Sequence, residues 1–107
     1  MRVSISHNKT KEQAMQIVDK SFMDFFGGLP GGALQIADQK KSWNGSTLDF
    51  SFVAKMAFFK VPITGTAEVT DHDVIVNVDL PAFLTNMIPE AKLRTGIENN
   101  VKGLLNA

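Results

Sequence analysis

The chain has no cysteine, no excess of charge of either sign and no long apolar run, and each absence closes off a class of protein. Zero cysteines exclude a disulfide scaffold, a thiolate metal site and a thiol nucleophile, and they fit a reducing cytoplasm. Eleven basic residues balance eleven acidic ones, so the electrostatic footprint of a nucleic-acid binder is missing. No stretch approaches the roughly 18 consecutive apolar residues that a transmembrane segment needs. The opening Met1-Arg2-Val3-Ser4-Ile5-Ser6 is polar at alternate positions, unlike the apolar stretch of a signal peptide. With 107 residues, 44% of them hydrophobic and 21% charged, the chain reads as one soluble domain, residues 1–107, long enough to bury a core without staples.

What is present is alternation. After the turn-forming pair Asn44-Gly45, whose residues suit the two positive-φ positions of a type I′ hairpin, Leu48, Phe50, Phe52 and Ala54 point one way and Thr47, Asp49 and Ser51 the other. The next run sets Val61, Ile63, Gly65, Ala67 and Val69 against Lys60, Thr64, Thr66, Glu68 and Thr70. Beyond the polar turn Asp71-His72-Asp73, Val74, Val76, Val78 and Leu80 alternate with Ile75, Asn77 and Asp79. Period two with one buried and one wet face is the mark of an antiparallel meander. A weaker strand spans Ala33 to Trp43, where Asp38, Gln39, Lys40 and Lys41 suit an edge that must discourage further pairing.

Helical spacing brackets this sheet. Val3 and Ile5 make a short first strand, and Thr10 with Gln13 forms a capping box. Ala14, Ile17, Val18, Ser21, Phe22, Phe25 and Phe26 then give one apolar stripe. Gly27-Gly28 ends that helix and Leu29-Pro30-Gly31-Gly32 connects onward. A phosphate loop is excluded there, because the glycines lie at the negative end of the helix dipole and no Lys-Ser or Lys-Thr pair opens a following helix. Phe83, Leu84, Met87 and Ile88 predict a short helical turn. Pro89 suits the first position of a last helix, whose stripe is Leu93, Ile97, Val101, Leu104 and Leu105. The order is β-α-β-β-β-β-α. An α+β fold with a single antiparallel sheet and both helices on one face is the simplest assembly; it is the TATA-binding-protein-like arrangement, with the first strand beside the last.

Three pieces together resemble the polyhydroxyalkanoic acid system family, small bacterial proteins encoded beside storage-polyester genes. They are Ile5-Ser6-His7 before a capped helix with Ala14 near its start, the hairpin Trp43-Asn44-Gly45-Ser46-Thr47-Leu48-Asp49-Phe50, and Ile63-Thr64-Gly65-Thr66-Ala67-Glu68-Val69 followed by an acidic turn, a strand and a closing helix. None of these is a catalytic signature. The resemblance implies a granule-associated, non-catalytic role at a polyester granule surface or against a granule protein, with no cofactor.

The residues themselves carry little chemistry. Asp71-His72-Asp73 is the dense polar cluster, but consecutive residues cannot all face one metal ion, and a solvated turn accounts for it. No serine stands in a Gly-x-Ser-x-Gly elbow. The remaining feature is Met56-Ala57-Phe58-Phe59 between Lys55 and Lys60. Adjacent phenylalanines in a strand face opposite sides, so Lys55, Met56, Phe58, Phe59 and Lys60 form the candidate hydrophobic surface, with lysines for anionic groups around it. Three readings follow: a binder of a hydrophobic surface or partner protein, a carrier of an acyl chain between sheet and helices, and, last, an enzyme. Val53 and Ile75 on the wet face and the open sheet edges also predict a homodimer.

Overall fold

Alternation in the sequence becomes alternation in the ladder. The computed structural model describes residues 1–22, 24, 35–56, 59–82, 86 and 88–106, without the side chains of Met56 and Phe59. The elements are β1 (Arg2–Ser6), α1 (Lys11–Ser21), β2 (Gln35–Asn44), β3 (Thr47–Met56), β4 (Phe59–Val69), β5 (Asp73–Asp79) and α2 (Glu90–Leu105). The strands form one antiparallel sheet in the order β1-β5-β4-β3-β2. The first strand therefore lies beside the last, and β1 and β2 are the edges, as the sequence predicts. The ends of the first helix stripe at Phe25 and Phe26, the connector from Gly27 to Gly32, the strand start at Ala33 and Leu34, and Phe83, Leu84 and Met87 lie outside the described residues.

Leu48, Phe50, Phe52 and Ala54 of β3, Val61, Ile63, Ala67 and Val69 of β4, and Val74, Val76 and Val78 of β5 are buried. Ala14, Val18 and Phe22 from the α1 stripe join them in one cluster with Leu93, Ile97, Val101 and Leu105 of α2. Each fully buried side chain of this kind is worth about 1.5–3 kcal/mol, which is what fixes the register. The capping box forms in both directions: Gln13 N–H donates to Thr10 Oγ1, and Thr10 N–H to Gln13 Oε1, each at 3.1 Å. On the other face Thr64, Pro62, Glu68, Asn77 and Asp79 are exposed, with Val53 and Ile75 half-buried among them.

Several local expectations are corrected. Asn44 pairs with Thr47, so the central turn residues are Gly45 and Ser46. Only Gly45 (φ 60°) has a positive φ there. One positive φ at the first central position is the type II′ pattern and not type I′. Pro89 is the N-cap and not the first helical residue; its extended ψ of 133° places it just outside the helix, with Glu90 taking the dipole position.

β2 contains a bulge. Ala37 opposes Val53 and Lys40 opposes Ser51, so Asp38 and Gln39 together face Phe52. Asp38 takes φ 54°, a left-handed conformation that aspartate tolerates better than most residues. The extra residue flips the side-chain phase. Ile36, paired with Ala54, and Trp43, paired with Leu48, thereby both face the buried side although an odd number of positions separates them. Pro62 sits inside β4, but β5 has ended opposite Thr64, so its missing N–H removes no ladder bond on that side.

Gly65 lies across from Phe50, and the ring is folded over it. A Cβ built there would stand 2.6 Å from Phe50 Cζ and 2.6 Å from the Asn77 backbone oxygen. The backbone oxygen cannot retreat without breaking the β4–β5 ladder. Gly65→Ala is therefore expected to destabilise the fold by about 1–3 kcal/mol, the range for forcing extra volume into a packed core. Urea unfolding followed by circular dichroism measures it, and a midpoint equal to that of the parent chain would contradict the close approach.

Candidate functional site

The candidate hydrophobic surface is the distal end of the β3–β4 hairpin. Lys55 pairs directly with Lys60, and Met56 with Phe59. Lys55 is half-buried and Lys60 exposed. Phe58 lies outside the described residues, as do the side chains of Met56 and Phe59. Because β5 stops opposite Thr64, β4 runs beyond it from Phe59 to Ile63, and among the described strands β2 alone flanks this end of the hairpin, through the Gln35–Lys55 pair. Like charges directly opposite each other in a ladder are destabilising by a few tenths to about 1 kcal/mol. No salt bridge to either lysine occurs among the described residues; the ion pair there joins Lys41 Nζ and Asp19 Oδ1 at 3.0 Å.

The two histidines are not brought together with an acid and a nucleophile. His7 is buried at the end of β1. Lys9 N–H donates to its Nδ1 at 3.2 Å, which makes that nitrogen an acceptor and leaves Nε2 to donate to the Thr70 carbonyl at 3.0 Å. His7 N–H also donates to the His72 carbonyl at 2.8 Å. Both ring nitrogens are thus engaged, Nδ1 within the β1–α1 corner and Nε2 in tying that corner to the β4–β5 turn. That turn is organised by Thr70, whose Oγ1 accepts from Asp73 N–H at 2.9 Å and from His72 N–H at 3.3 Å. Asp71 and His72 point into solvent as exposed turn residues, and Asp73 Oδ1 accepts from Ser6 Oγ at 3.1 Å. Among the described residues no three histidine, aspartate or glutamate side chains converge in a way that would hold a metal ion.

Open depressions surround the described residues. Two lie on the wet sheet face: one of about 430 Å³ is lined by Lys40, Asp49, Ser51, Thr64, Thr66 and Asp79 among others, and one of about 550 Å³ by Lys40, Ser51, Val53 and Pro62 among others. Where the end of α1 meets β3, aromatic rings contact one another: Phe22 and Phe50 have centroids 5.7 Å apart, and Phe50 and Phe52 stack at 6.4 Å.

A clasp between α1 and β2 was not foreseen in the sequence. Trp43 Nε1 donates to Asp19 Oδ1 at 2.8 Å. Lys41 Nζ donates to the Asp19 carbonyl at 3.1 Å and stands 5.9 Å from the Phe22 ring centre. The signal was the odd spacing between Ile36 and Trp43, which demands a bulge if both face inward. The Trp43 hydrogen bond, and then that of Lys41, hold the Asp19 carboxyl below the usual aspartate range against a smaller opposing effect of desolvation.

No family model matches the chain, no curated protein matches it, and no solved structure matches it.

A carboxyl whose folded value is depressed contributes stability that is fully present above its unfolded value and is lost as pH falls through the folded one. The stability of the parent chain relative to Asp19→Asn should therefore be greatest above about pH 4, where the unfolded carboxyl is ionised, and should shrink on further acidification. Urea midpoints of both chains across that range check this. A difference that grows toward low pH would contradict the clasp.

Proposed function

We propose that this chain is a non-catalytic binding protein of a bacterial polyester-granule system, one that meets a hydrophobic surface or a granule protein with the distal end of its β3–β4 hairpin. The observation that carries this reading is the pairing of Lys55 with Lys60 beside Met56 with Phe59, on a hairpin that outruns β5. Two opposed lysines weaken the ladder, so their placement serves contact better than folding. They suit anionic groups bordering an apolar surface, the combination that amphipathic membrane binders also use. The granule setting is supported by the resemblance carried by Ile5 to His7, Trp43 to Phe50 and Ile63 to Val69. A cytoplasmic protein without cysteine fits that setting.

The alternative, a carrier of an acyl chain between sheet and helices, draws less support. Such a ligand needs a concave apolar space of about 300 Å³ or more, and Phe22, Phe50 and Phe52 pack on one another where the end of α1 meets the sheet.

Cosedimentation with poly(3-hydroxybutyrate) particles tests the proposal. Lys55→Glu with Lys60→Glu, and separately Phe58→Ser and Phe59→Ser, are measured beside the parent chain. Burying one exposed apolar side chain on contact is worth roughly 1.5–3 kcal/mol, so loss of a contacting aromatic should weaken binding by about tenfold or more. The lysine pair variant should bind more weakly yet keep its melting temperature. Equal binding by all variants, or strong destabilisation by both Phe58→Ser and Phe59→Ser, would overturn the reading.

A further inference from the structure

The two edges of the sheet are not alike. β2 is guarded by its bulge at Asp38 and Gln39 and by exposed Asp38, Lys40 and Lys41, the devices that prevent edge pairing. β1 has neither a bulge nor a proline. Met1 and Val78 exchange both backbone hydrogen bonds at 2.9 Å, and His7 N–H bonds to the His72 carbonyl. Alternation along an antiparallel strand then directs the backbone N–H and C=O groups of Val3 and Ile5 toward β5. Those of Arg2, Ser4 and Ser6 point to the free side, where no other described residue pairs with them.

We infer that the β1 edge is a homodimer interface, in which β1 of a second copy pairs antiparallel about a two-fold axis at Ser4. That register brings Ser4 opposite Ser4 of the second copy, and Arg2 opposite its Ser6, so that every outward N–H and C=O of the three residues finds a partner. Charge selects the same register. Ser6 Oγ donates to Asp73 Oδ1, and Ser6 pairs with Asp73 in the ladder, so the arginine of one copy lies in line with Ser6 and Asp73 of the other. Strands are spaced about 4.8 Å apart, and an arginine side chain spans the two steps to the aspartate. The two-fold repeats the pair, which makes the contact self-complementary. Val3 and Ile5 stay on the core side of the extended sheet, and the wet face continues from one copy to the next.

Sedimentation velocity at tens-of-micromolar concentration tests this with the full chain. The parent should sediment as a dimer. Ser4→Pro removes an outward N–H that no ladder bond uses, a change edge strands tolerate, and should shift the chain to monomer with its far-ultraviolet spectrum intact. Arg2→Glu alone and Asp73→Arg alone should each be monomeric, since each puts like charges across both halves of the interface. Mixing the Arg2→Glu chain with the Asp73→Arg chain should restore a dimer, because both contacts then join opposite charges. The rescue keeps the test decisive even if Ser4→Pro fails to fold. A monomeric parent, a dimer indifferent to Arg2→Glu, or a mixture that stays monomeric would each overturn the interface.

Discussion

A phenyl ring laid over a glycine holds the middle of this fold. Phe50 and Gly65 face each other across β3 and β4, and the ring occupies the volume a side chain on Gly65 would need. Phe22 at the end of α1 packs on that ring, Phe52 stacks beside it, and Lys41 reaches over Phe22 from β2. A side chain on Gly65 would take the volume the Phe50 ring occupies, and that ring is what Phe22 meets. From that contact the clasp follows: Asp19, one turn before Phe22, meets Trp43 and Lys41 of the edge strand. Exposed ion pairs of this kind contribute little by themselves, and their role here is to fix which edge residue meets which helical turn.

Much of this was legible in the sequence, and for a physical reason. Strands buried on one face must alternate, so Leu48 to Ala54, Val61 to Val69 and Val74 to Val78 announced three strands and their core side. Thr10 and Gln13 announced the helix start because a capping box is local. The turn type was misread because Asn-Gly tolerates two registers, and the register was set by where Leu48 had to face and not by the dipeptide. The bulge at Asp38 was missed because its evidence is a parity conflict between Ile36 and Trp43, visible only once both are assigned to the core. The roles of His7 and Thr70 join residues 63 positions apart, and no local pattern reveals that kind of contact.

The candidate site was less legible. Its composition, lysines around methionine and phenylalanine, stood out in the sequence, but the opposition of Lys55 to Lys60 depends on the β3–β4 register, which the sequence had not specified. The Asp71-His72-Asp73 cluster, the densest chemistry in the chain, is accounted for by turn geometry around Thr70.

The most direct test is a proton magnetic resonance measurement on the isolated protein. With the Phe50 ring over Gly65, one or both Gly65 Hα resonances should be shifted upfield by the ring current, with cross-peaks to the Phe50 ring protons. Gly65 Hα resonances at ordinary glycine positions, with no cross-peak to Phe50, would show that the ring does not lie against the glycine and would contradict the packing from which the docking of Phe22 and the clasp follow.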